Sequence, residues 1–145
     1  MNSYKFSFTI TMIISLVAGS SPRTADARST ELVEPDPVTT SCVLPADEMK
    51  QAIISGGAVR SWMPVNQTDN SVELKYVKGA NKHMLMVDVA FSENAFSVHY
   101  KDSINLNFKV KRNGVRVIHP RPVLWMTNLS NDIRIKTETF CIQQR

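Results

Sequence analysis

What this sequence lacks removes most enzyme classes before any fold is considered. Its five glycines form no phosphate-cradling loop, and no serine sits in the setting of a nucleophile elbow. No spacing of His, Cys, Asp and Glu matches a metal-ligand motif, so no metal or other cofactor is implied. There are only two cysteines, Cys42 and Cys141; they form no Cys-x-x-Cys pair and have no adjacent histidine, which argues against a reactive thiol. The net charge is only +4 and the basic residues are dispersed, so no nucleic-acid stripe is present. Beyond the first 27 residues no apolar run is long enough to span a bilayer. With no catalytic motif, the chain does not read as an enzyme.

What is present speaks first of location. Residues 1–27 have the pattern of a secretory signal: Lys5 at the charged end, an apolar stretch from Phe6 to Gly19, and small residues at Ala25 and Ala27. Cleavage would start the mature chain near Arg28. Removing Lys5, Arg23 and Asp26 leaves a formal charge of +3. Leu16-Val17-Ala18-Gly19-Ser20 resembles a lipobox in which serine replaces the lipidated cysteine, so the expected product is a released periplasmic or secreted bacterial protein. In an oxidising compartment Cys42 and Cys141 should pair. Closing so long a loop stabilises by about 4–5 kcal/mol in the chain-entropy model.

Residues 28–44 carry Pro35 and Pro37 without apolar periodicity and read as an extended linker, leaving residues 45–145 as one domain. Pro45, Asp47 and Glu48 suit a helix start, and Met49, Ala52, Ile53 and Gly56 share a face, predicting a helix over 46–62. Gly56 and Gly57 then imply close packing on the sheet. Three alternating segments follow, through Val72, Leu74 and Tyr76, through Leu85, Val87, Val89 and Phe91, and through Phe96, Val98 and Tyr100. Two-residue loops at Ala80-Asn81 and Glu93-Asn94 set Leu74, Val87 and Tyr100 in one row and Val72, Val89 and Val98 in the next, all on one face. Asn113-Gly114 marks a β-arm that either extends the sheet or stands apart. A last helix over 122–139 carries Trp125, Leu129 and Ile133 as a core stripe. The fold class is α+β: helix, three-stranded antiparallel meander with a short β-arm, helix, both helices on one face.

Ala52-Ile53, Trp62, the runs 83–89 and 96–103, Leu106, Ile118-His119, and Trp125 with Leu129 and Ile133 resemble a family of small bacterial envelope proteins, many of them lipoproteins. The resemblance spans residues 46–135 and implies the same element order but no activity. The chain departs from the family pattern at Pro122, where a tyrosine is usual, in the missing lipobox cysteine, and in the Cys42 and Cys141 pair.

Three polar groupings follow from the registers. Glu73, Asp88 and His99 should lie side by side on the outer sheet face, as a metal-binding or acid/base group or as an exposed charge row. His83 and Asp102, with Tyr76 and His119 near them, should gather at one end of the helix-facing side, as a satisfied network or as the lip of a ligand pocket. Lys109, Lys111, Arg112 and Arg116 surround one turn, either as a patch for an anionic lipid or wall polymer or as a solvated tip. The expected function is a small exported binding or interaction module contacting an envelope protein or cell-wall component, with the outer sheet face or β-arm as contact surface; a periplasmic metal binder or enzyme built on a His/Asp cluster is the alternative.

Overall fold

Strict alternation of apolar residues over three consecutive segments builds the centre of the molecule. A computed structural model describes residues 29–145; the secretory segment read over 1–27, with Ser20, lies outside the described residues. In chain order the elements are β1 (Thr30–Glu31), β2 (Val38–Thr39), α1 (Ala46–Ala58), β3 (Met63–Gln67), β4 (Ser71–Lys78), β5 (His83–Ser92), β6 (Ala95–Ile104), β7 (Lys109–Val110), β8 (Arg116–Ile118) and α2 (Pro120–Gln143). They form a five-stranded sheet in the order β2-β6-β5-β4-β3 and a small second sheet, β1-β8-β7. The fold is α+β, and the meander β4-β5-β6 lies at its heart.

The registers hold where two-residue loops fix them. Leu74 pairs with Val87 and Val87 with Tyr100, while Val72 pairs with Val89 and Val89 with Val98. Ala80 and Asn81 both adopt positive φ, and Lys82 N–H donates to Gly79 O, the geometry of a tight hairpin turn whose twist matches the strands. The apolar rows are buried together with Met49, Ile53, Met126, Leu129 and Ile133 of the helices. An added Cβ on Gly56 would stand 2.7 Å from the Ile133 Cα, so this glycine serves the contact between helices rather than the contact with the sheet. Gly57 faces Leu74 and Trp62 instead.

Several boundaries differ from the sequence reading, each for a local reason. α1 ends at Ala58, not near residue 62, because Ser61 takes a left-handed φ of 65° and Trp62 N–H donates back to Gly57 O, closing the helix end. Pro64 does not merely stop a helix: it lies within β3, an exposed edge strand where a missing N–H can be tolerated. α2 runs four residues further at its C-terminus than the pattern predicts and places Cys141 inside its last turn. The Asn113-Gly114 arm does not extend the main sheet; it pairs with β1.

Residues 29–44 are not a free linker. β1 pairs with β8, β2 pairs with β6, and Leu32 and Leu44 are buried. Between the two short strands, Glu34 accepts hydrogen bonds from His99 Nδ1 at 3.0 Å, from Tyr100 N at 3.1 Å and from an Arg116 guanidinium nitrogen at 3.1 Å. One carboxylate thus covers the exposed backbone of β6 and ties both sheets to the N-terminal strap. Cys42 and Cys141 form a disulfide with Cα atoms 5.6 Å apart, anchoring the strap to the end of α2.

Cys42→Ala should lower stability by about 2–5 kcal/mol, read as a fall in the denaturant midpoint under non-reducing conditions. Burial pushes the Glu34 carboxyl up, but the bonds from His99, Tyr100 and Arg116, with the Arg116 charge, outweigh it and hold the group below its ordinary 4.5. A depressed carboxyl contributes stability above its unfolded value and loses it as pH falls through its folded value. Glu34→Gln should therefore cost about 1–3 kcal/mol at neutral pH, and a pH series of unfolding midpoints should show that difference closing below pH 4.5.

Candidate functional site

Where β4 turns into β5, Lys78, Gly79 and His83 face the end of β6 and the start of α2. Together with Asn105, Leu106, His119, Arg121 and Trp125 they line a cleft of about 410 Å³. Local chemistry fixes each wall. Asn105, at a left-handed φ of 56°, donates through Nδ2 to Lys82 O and accepts through its own carbonyl from His83 Nδ1 at 3.0 Å. His83 is thereby held with Nδ1 protonated. His119 precedes α2 and its Nδ1 accepts from Arg121 N–H at 3.2 Å, so Nε2 carries the ring proton and is a donor. His119 N–H in turn donates to Leu106 O, locking this approach to the helix against the end of β6.

The wall is electrostatically one-sided. Lys78, His83, His119 and Arg121 line it, and none of its eight residues carries a carboxylate. Among the described residues neither Lys78 nor Arg121 forms an ion pair. Lys78 Nζ instead lies 5.9 Å from the Trp125 ring centroid, a cation–π contact worth about 0.5–1 kcal/mol at an exposed site. Arg121 stands in the first turn of α2, which contains no acidic residue. A cation there opposes the positive end of the helix dipole.

Trp125 separates this cleft from a second one of about 310 Å³, lined by Arg60, Ser61, Trp62, Tyr76, Lys78, Leu124, Trp125 and Asn128. Tyr76 is held between two indoles, its ring centroid 5.2 Å from that of Trp62 and 5.0 Å from that of Trp125. Arg60 is pinned by Asp132, Nε to Oδ2, at 2.7 Å.

Three of the four residues expected at this end are here: His83 and His119 in the first cleft, Tyr76 in the second. Asp102 is not. A β-bulge between Met86 and Val87 shifts the β5–β6 register so that Val87 faces Tyr100 but Met86 faces Asp102. The extra residue, Lys101, turns Asp102 onto the outer face, where it is exposed and accepts from Ser103 N–H at 2.7 Å. No His83–Asp102 pair forms. Lys78, Asn105 and Arg121 were missed by the sequence reading, and Trp125, assigned to the core, is half-buried between the clefts. An arginine between two prolines at a helix start is the signal that could have been heeded, because nothing about helix stability requires a cation at that position.

The outer row assembles in the expected order: Glu73 pairs with Asp88 and Asp88 with His99. Its members nevertheless have other partners. Glu73 is engaged by Lys101, which lowers its carboxyl pKa, while His99 donates to Glu34 and accepts from Ser97 Oγ at 2.7 Å. Among the described residues no three His, Cys, Asp or Glu side chains converge so as to hold a metal ion. In the β-arm, Arg116 is paired with Glu34, and Lys109, Lys111 and Arg112 are exposed around the turn. No helix of the described residues is long and apolar enough to cross a membrane.

Arg121→Gln removes a cation from a position that the positive end of the helix disfavours. It should raise the unfolding midpoint by an amount equivalent to about 0.3–1 kcal/mol, the gain shrinking in high salt. No protein-family model, no curated protein and no solved structure matches this chain.

Proposed function

We propose that this chain is a small exported binding module of the bacterial envelope, periplasmic or secreted, and that its cleft at the end of the meander takes an anionic group of a ligand or partner. The observation that carries the reading is the carboxylate-free wall of Lys78, His83, His119 and Arg121 around one concavity. Gathering like charges costs stability, and a bound anion offsets that cost with charge-assisted hydrogen bonds. The Cys42–Cys141 bridge supports an oxidising compartment, in line with the signal-like residues 1–27. A carboxylate or phosphate presented by an envelope protein or cell-wall component fits the same chemistry.

The test is calorimetric titration of the disulfide-intact protein with inorganic phosphate and with acetate. Saturable binding to one site should weaken about tenfold or more in the Lys78→Ala/Arg121→Ala double variant, since each charge-assisted bond contributes about 1.5–3 kcal/mol. Both residues are exposed, so the variant should remain folded. Absence of saturable binding, or binding indifferent to the two substitutions, would refute the proposal.

A further inference from the structure

We infer that the two clefts act as one bipartite site for a small organic anion: an oxyanion carried on a flat ring, with the oxyanion beside Lys78 and Arg121 and the ring behind Trp125. This rests on the anion-binding reading above and adds the identity of the ligand's body. The clefts, of about 410 and 310 Å³, share Lys78 and Trp125 as common walls. Sites for drug-sized ligands span about 300–1,000 Å³ and combine apolar or aromatic walls with a few convergent polar groups.

The two halves differ in a way that orients the ligand. Of the two unpaired cations Arg121 lines the first cleft alone and Lys78 lines both, whereas the cation confined to the second, Arg60, is held by Asp132. The second cleft instead offers Trp62, Tyr76, Leu124 and Trp125. Aromatic rings stack or meet edge to face with centroids about 4.5–7 Å apart; Trp62 is buried and Tyr76 is held between the two indoles, so exposed Leu124 and half-buried Trp125 are the surfaces a ligand ring would meet. Lys78 lies over the boundary, close enough to the Trp125 face to bridge both halves. A bare inorganic anion would use half of such a site. A polyanion would need cations spaced along a track, and here they are gathered at one end.

The experiment titrates the disulfide-intact protein with phenyl phosphate, phenylacetate, inorganic phosphate, acetate and benzyl alcohol, following heat and tryptophan fluorescence. At least one ring-bearing anion should bind tenfold or more tighter than its bare counterpart and than benzyl alcohol; whether phosphate or carboxylate is preferred identifies the oxyanion. Leu124→Gln, a neutral change at an exposed position lining only the second cleft, should abolish the ring preference and leave bare-anion affinity in place. Trp125→Phe should diminish the fluorescence change, leaving the part that Trp62 contributes. Equal affinity for bare and ring-bearing anions would overturn the bipartite site while leaving the anion reading intact. A ring preference that survives Leu124→Gln would also overturn it. Failure of every anion to bind would remove both.

Discussion

The contact of Gly56 with Ile133 sets the scale of the whole molecule. Strands in a sheet lie about 4.8 Å apart, so the three meander strands present an apolar face only about 10 Å across, while ordinary helix packing needs about 8–10 Å between axes. Two helices at that spacing match the face, and the missing Cβ at Gly56 lets α1 meet α2 directly at Ile133. With the helices drawn together, Met126, Leu129 and Ile133 close the core, and Trp125, one position round the helix from Met126, is left half-buried at its margin. The ligand-sized hollows lie on either side of this displaced indole.

Polar residues then organise the periphery. Glu34 joins His99, Tyr100 and Arg116, so a short N-terminal strap covers the edge that β2 leaves open on β6. Unpaired sheet edges invite association with other chains. The opposite edge is managed differently: β3 carries Pro64 and a register irregularity between Pro64 and Asn66. The cationic cleft lies where the turn of β4 into β5 meets the start of α2.

Legibility in the sequence followed the range of the interactions concerned. The rows Leu74–Val87–Tyr100 and Val72–Val89–Val98 could be read because a period of two and two-residue loops determine register together. The disulfide pairing could be read because there is one possible pair. Asp102 was misplaced because a bulge is a local choice between register and side-chain direction that alternation does not encode, and one inserted residue reverses the face of everything beyond it. The strap reads as a linker in the sequence because its attachments are single side chains and two-residue strands, too short to leave a periodic trace. Tyr76, His83 and His119 came within reach of the site through register and loop order, whereas Lys78 and Arg121 needed the three-dimensional placement of the helix start.

The disulfide also has a consequence for how the molecule withstands damage. Residues 42 to 141 form one covalent ring that includes both helices and every strand of the meander. The turns at 79–82, 93–94 and 111–114 are exposed, and such loop tips are where proteases cut. A single cleavage at any one of them opens the ring without releasing a fragment, because the two pieces stay joined through sulfur. Such a chain can be nicked at one turn and still hold its strands in register around the same cleft.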